Sequence, residues 1–254
     1  PSLSKEEAYL EIFRKERIGE PLVLESAQNL VENMLFNSKR FNLGHVGRFK
    51  LNQTLGLNFP NDNKHRVLQL EDIVNIIKTI IEINNGVTEP SDIDHLQNRR
   101  VRSVGELLQN QIRLGFVRLE KNTKDRMSMS PREILPEPSS LISPRPISTA
   151  IHSFFATGQL SQLQDQQNPL TSLEILRRLS LTGPGGVNSE RATFSVRDVH
   201  YSSFGKICAV RTPEGQSVGL TNYLALYARV NEYGFLETPY FKLEKTDLGV
   251  RVTD

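Results

Sequence analysis

One cysteine, Cys208, is the entire thiol complement of the 254 residues. That rules out an intrachain disulfide framework and any zinc site built from several cysteines. In Gly205-Lys206-Ile207-Cys208-Ala209-Val210 it reads as a small buried hydrophobe in a chain kept in a reducing cytosol. No apolar run approaches the ~20 residues that a bilayer span requires. No signal peptide is visible, and a chain that opens at Pro1 is expected to be an excised piece. The five histidines are scattered without paired spacing, which argues against a zinc hydrolase. A phosphate-binding loop is also missing: Gly183-Pro184-Gly185-Gly186 lacks the following lysine, and Pro184 has no N–H to offer an anion. No serine sits in a nucleophile elbow, so hydrolytic chemistry has no support.

What is present is an ordinary soluble composition, 37% hydrophobic and 24% charged, in a chain long enough for one large core or two modest ones. Net charge is only +2, but it is unevenly spread. Between residues 99 and 118, Arg99, Arg100, Arg102, Arg113 and Arg118 stand against Glu106 alone, a net +4. Between residues 177 and 211, Arg177, Arg178, Arg191, Arg197, Lys206 and Arg211 stand against Glu190 and Asp198, again +4. Such stretches are either polyanion contacts or solvated faces balanced by acids from elsewhere.

Periodicity and capping predict a mixed α and β architecture. Ser4 with Glu7 forms a capping-box pattern ahead of Ala8, Leu10, Ile12 and Phe13, and Gly19 and Pro21 stop that helix. Leu24, Ala27, Leu30, Val31, Met34 and Leu35 mark a second helix. Residues 40–65, broken by Gly44, Gly47, Gly56 and Pro60, read as loop with short strands. Glu71 and Asp72 open an apolar helix whose isoleucines are expected to be packing and which Asn85-Gly86 closes. Ser103 with Glu106 starts a long helix to about Arg126. Five prolines between Met127 and Pro146 predict a linker or pinned connection. Ser148 caps a short helix to Phe155, another runs from Ser172 to Leu181, and strands are expected over 193–199 and 206–212.

Two stretches carry candidate chemistry. In Asp92-Ile93-Asp94-His95 two carboxylates and an imidazole lie close enough to hold a metal, or to cap and form a turn after Pro90-Ser91. The run Ser161-Gln162-Leu163-Gln164-Asp165-Gln166-Gln167-Asn168-Pro169 is rich in amides that both donate and accept, so it lines a polar path or forms an exposed loop. Beside it, Arg177-Arg178 supplies cations for phosphates, and the glycine-rich turn lets a backbone approach closely.

These stretches, read in order, resemble the β subunit family of bacterial RNA polymerases. The resemblance is carried by Gly158 to Gln162, Asn168-Pro169-Leu170, Arg177 to Ser180, Gly183 to Gly186, Val196-Arg197-Asp198-Val199-His200, Thr212-Pro213-Glu214-Gly215 and Asn231 to Tyr240. Upstream, Asp92 to Leu96, Asn98-Arg99-Arg100 and Arg102 to Glu106 belong to the same series. It implies a multi-domain α+β chain: residues 1–92 the end of the lobe, 93–160 the returning protrusion, and 161–254 the fork region with the rifamycin-pocket segment. The implied hybrid-contacting and rifamycin-pocket residues are Gln162, Leu163, Asp165, Ile175, Arg178, Ser180, Thr182, Ser217 and Thr221. A pocket reading one non-template guanine falls on Ile93, Asp94, Arg99, Val187 and Val196, where the Asp94 carboxylate accepts from an unpaired base edge. Gly183, Gly185, Gly186 and Arg191 fall in a fork loop.

Several positions depart from the family pattern: Leu163 stands where phenylalanine is usual, Ile175 for histidine, Thr182 for leucine, Ser217 for asparagine and Thr221 for isoleucine. Leu176 and Ser189 likewise replace common basic residues. Ile175 cannot hydrogen-bond, so rifamycins are expected to bind the parent polymerase poorly. The resemblance further implies templated nucleotidyl transfer in a cytoplasmic complex, with Mg2+ held by the other large subunit rather than by this chain. The implied partners are the remaining β segments, the β′ subunit, the α dimer, a sigma factor, the DNA template and nascent RNA, with no membrane. On this view the chain alone is inactive. The alternative is a nucleic-acid-binding or transcription-factor interaction module without polymerase activity.

Overall fold

The computed structural model describes residues 4–130, 136–246 and 249–253, with two compact units parting between Ser91 and Asp92. The first unit is helical. Helix α1 spans Lys5–Glu16, opened by the Ser4 hydroxyl accepting the Glu7 N–H at 3.2 Å. Acids in its first turn and Arg14 and Lys15 in its last complement the helix dipole. It packs on α2, Leu24–Val31, burying Phe13, Ala27 and Val31, and α2 runs directly into a π-helical turn, Glu32–Phe36. Helix α3, Gly44–Leu55, packs on α4, Leu70–Asn84, around an ion pair. The Arg48 guanidinium meets the Asp72 carboxylate through two contacts of 2.8 and 2.9 Å, and its Nη2 also donates to the Val67 carbonyl at 2.8 Å. Both side chains are 0% exposed. Asp72 additionally accepts the Gln69 N–H at 2.8 Å, so one carboxylate caps α4 and neutralises α3.

Two expectations for this unit are corrected. Residues 40–65 are not loop with short strands, because α3 occupies 44–55. Gly44 is its first residue and Gly56 its left-handed cap, so both glycines punctuate the helix instead of breaking it. The isoleucines of α4 are not all packing: Ile77, Ile80 and Ile81 remain about half exposed in this unit.

Among its described residues the second unit combines helices with three two-stranded sheets, a mixed α+β architecture. The long helix α5, Val104–Met129, lies against α7, Arg145–Thr157, so closely that a Cβ on Gly115 would stand 2.9 Å from the Ile147 Cα. Between them the single turn α6, Pro138–Leu141, is pinned by Arg126, whose Nη1 donates to the Ser140 and Leu141 carbonyls. Residues 131–135 of the proline-rich stretch lie outside the described residues. Helix α8, Pro169–Leu176, starts where the Asn168 side chain accepts the Leu170 N–H, with proline as its first residue. It ends earlier than expected: β1, Arg178–Ser180, follows at once and pairs antiparallel with β2, Thr221–Tyr223. The strand expected over 193–199 is instead the short helix α9, Phe194–Arg197. Over 206–212 only an isolated bridge, Ile207 to Leu224, forms. Strands β3, Arg229–Val230, and β4, Leu236–Glu237, pair, as do β5, Lys242–Thr246, and β6, Gly249–Thr253. Leu96, Ala150, Leu220, Ala228 and Leu236 are buried. Among the described residues no helix is long and apolar enough to cross a membrane.

The Ser103–Glu106 capping box does not form. Ser103 makes no side-chain cap, and the Glu106 carboxylate that would complete the box is taken by Arg100 and Arg102.

Candidate nucleic-acid interface

Three local assemblies in the second unit hold the residues singled out by sequence. The first is built on the β1–β2 ladder, which sets Arg178 opposite Tyr223 and Ser180 opposite Thr221. Arg178 Nη1 donates to Gln162 Oε1 at 2.9 Å, tying the amide-rich run to the ladder. Its guanidinium lies 5.5 Å from the Tyr223 ring, and Arg211 lies 4.8 Å from the same ring. Arg211 is paired with Glu174 of α8. Ser180 and Thr182 hydroxyls lie 3.0 Å apart, while the Thr212 hydroxyl donates to the Thr221 carbonyl and accepts the Gly219 N–H. Asp165 accepts the Gln167 N–H, and its own carbonyl accepts from Ser172, which folds the run back on α8. Ile175 is half-buried, Ser217 is exposed in a 3-10 turn, and Leu163 is 98% exposed.

The second assembly is the glycine loop. Gly183 and Gly185 adopt φ of +123° and +76°, and a Cβ on Gly186 would stand 2.3 Å from the Leu181 carbonyl oxygen, so the turn admits no side chain there. Arg102 Nη1 donates to the Pro184 carbonyl at 3.2 Å. Arg102 Nε and both Arg100 terminal nitrogens converge on Glu106, at 3.1 Å and at 2.6 and 2.7 Å. The hydrogen bond from Arg100 keeps the Glu106 carboxyl below its ordinary range, against a smaller opposing effect of burial. Beyond the loop, Arg191 is exposed in the 3-10 turn Ser189–Arg191. Arg197 of α9 donates to the Gln216 and Val218 carbonyls at 2.8 Å each and reaches the Ser189 carbonyl at 3.4 Å.

The third assembly is the turn at residues 92–99, which holds Ile93, Asp94 and Arg99 together. Ile93 is exposed, and Asp94 and Arg99 are half-buried, as are Val187 and Val196 in their separate segments. Asp92 Oδ1 accepts the Asp94 N–H at 2.9 Å, the turn-forming role open to this sequence. That bond, more than the nearby His200, draws the Asp92 carboxyl below its ordinary value. His95 packs edge-on against the His200 and Tyr201 rings. Asp92 is therefore committed to the turn and His95 to ring contacts, and among the described residues no three His, Cys, Asp or Glu side chains gather in a way that could hold a metal ion. Cys208 is half-buried and free, and the backbone N–H groups of Val210 and Arg211 lower its thiol pKa.

The RNA polymerase Rpb2 domain 2 family matches residues 1–102, and Rpb2 domain 3 matches residues 162–230. A DNA-directed RNA polymerase subunit beta of Trichodesmium erythraeum is 51% identical over 240 residues, 94% of this chain and 22% of that protein. The chain belongs to the RNA polymerase β-subunit family. A second relative, the subunit beta of Gloeobacter violaceus, is 52% identical over 237 residues, 93% of this chain and 21% of the relative. The chain thus spans about a fifth of the length of the β subunits it matches.

In the sequence Arg100, Arg102 and Arg197 stand out only as excess positive charge, Glu106 only as a capping-box residue and His200 only as part of a motif. In this β-family chain they are the groups that hold the loops. A readable signal was the excess of arginine over acid in both stretches: much of that charge is spent on backbone carbonyls and on Glu106 and Glu174.

Proposed function

We propose that this chain lines the active-site cleft of a cytoplasmic DNA-directed RNA polymerase, holding the RNA–DNA hybrid and the downstream fork during templated RNA synthesis. The carrying observation is the identity of about half the residues along 94% of the chain with DNA-directed RNA polymerase β subunits. Residues 1–92 serve as the end of the lobe, 93–160 as returning protrusion and 161–254 as fork. Arg178, steadied by Gln162 and Tyr223, supplies a fixed cation to the nascent RNA backbone, and phosphate contacts of this kind set register without reading sequence. The loop from Gly183 to Arg191 meets the edge of the bubble with backbone instead of bulk. Asp94 accepts hydrogen bonds from one unpaired non-template guanine, with Ile93, Arg99, Val187 and Val196 completing that pocket.

In the proposed reaction the RNA 3′-hydroxyl oxygen bonds to the α-phosphorus of the incoming triphosphate as pyrophosphate leaves; Mg2+, which the β′ subunit would hold and this chain would not, would supply charge stabilisation there. This chain contributes positioning through charge and shape. Its partners are the remaining β segments, β′, the α dimer, a sigma factor, DNA and RNA. The test is split-subunit reconstitution: this chain is supplied with the remaining β segments, β′ and the α dimer, and templated RNA synthesis is assayed. Synthesis that depends on the chain is expected. A fully assembled but silent complex would overturn the reading in favour of an interaction module. In the active complex, rifampicin is expected to inhibit weakly, because Ile175 offers a drug polar group no partner; a sensitive inhibition curve would contradict this.

A further inference from the structure

One histidine fixes the turn that carries Asp94 from outside. His200 Nε2 lies 2.9 Å from Asp92 Oδ2, while the other oxygen of the same carboxylate accepts the Asp94 N–H. On its opposite edge, His200 Nδ1 lies 2.6 Å from Ser202 Oγ and 3.2 Å from Ser202 N. Ser202 Oγ in turn accepts the Leu96 N–H at 3.0 Å. The proton positions follow from chemistry. A carboxylate only accepts, so Nε2 carries the hydrogen; the Ser202 N–H only donates, so Nδ1 is bare and also receives the Ser202 O–H. The ring is fixed further by Tyr201, 4.1 Å between centroids, and by His95 at 5.6 Å. Residues 92–96 are thus clasped to the turn Tyr201–Ser203 by two routes that meet at a single imidazole.

We propose that His200 is a positioning residue for Asp94: it holds Asp92, Asp92 holds the backbone at Asp94, and the aim of the Asp94 carboxylate at an unpaired guanine depends on a ring that never touches the base. The inference rests on the guanine reading given above. Its two halves are separable because they use opposite ring nitrogens. An asparagine oxygen matches Nδ1 and keeps the contact to Ser202 but falls short of Asp92. A glutamine amide nitrogen reaches the place of Nε2 and keeps the clasp while losing the acceptor at Nδ1.

The experiment uses complete polymerase carrying H200N, H200Q or D94A. Complex lifetimes are measured on bubble templates that differ only in guanine or thymine at the non-template position, and hydrogen exchange is followed across residues 92–98. The unsubstituted enzyme is expected to live longer on guanine, and D94A to lose that difference. H200N is expected to lose most of it, with the Asp94 amide exchanging about tenfold faster, whereas H200Q retains both the preference and the protection. Full guanine preference in H200N beside its loss in D94A would overturn the positioning role and leave the guanine reading standing. An Asp94 amide equally protected in H200N would do the same. Unchanged discrimination in D94A would overturn the guanine reading and this inference with it.

Discussion

In the unit that ends at Ser91, Arg48 is sealed with its counter-ion Asp72, both without solvent exposure, and its Nε is left with no hydrogen-bond partner. In the unit that begins at Asp92, Arg197 and Arg102 are only part-buried and reach across to loop carbonyls, with Glu106 balancing Arg102 and Arg100. The same side chain is thus a core element in one unit and a staple for irregular backbone in the other. Burial makes removal of one partner costly, since the remaining charge has no water to turn to. At the surface each lost hydrogen bond is partly replaced by solvent.

The sharpest way to break the contrast is Asp72→Asn, which strands a buried guanidinium and also weakens the α4 cap. A loss of about 3–5 kcal/mol is expected in chemical denaturation of the first unit. Replacing both partners by apolar residues of similar volume should recover most of that. Next comes Arg197→Ala, expected to cost about 1–2 kcal/mol and to raise hydrogen exchange over residues 188–191 and 215–219 together; exchange rising in one loop alone would show that the staple is not shared. The smallest effect belongs to Glu106. Its folded pKa lies below the ordinary value, so its stabilisation is present above that value and is lost as pH falls through the lowered one. Glu106→Gln should therefore cost about 0.5–1 kcal/mol at neutral pH and nothing further in acid below that point. Lys124→Ala, at the exposed pair with Glu120, is the control and should leave stability unchanged within error.

The helices with strong period and clear ends, α1, α4 and α5, were legible because local rules and packing agree there. Helix α3 was hidden by glycines that sit at its first turn and its cap. The short strands were misassigned for another reason. The three-residue pairing β1–β2 is decided by a partner more than forty positions away, which no local alternation reveals, while 193–199 alternates without finding any partner strand. In the candidate site, the motif residues were legible as letters, and Gln162 with Arg178 do meet. The supporting groups were not, because Arg102 to Pro184 and His200 to Asp92 join positions 82 and 108 residues apart.

The π-helical turn Glu32–Phe36 has a consequence for how this chain tolerates changes in length. A π turn closes its hydrogen bonds over one residue more than an α turn, so at the end of α2 it holds one more residue than an α turn would before the chain leaves the helix at Asn37. Losing one residue there would restore α spacing and leave Ala27 and Val31 facing α1 as before. The same deletion in α4 would turn every later side chain by about 100° and carry Asp72's helix out of register with its own cap or its own end. A change of one residue at 32–36 would therefore leave the packing of α2 on α1 in place.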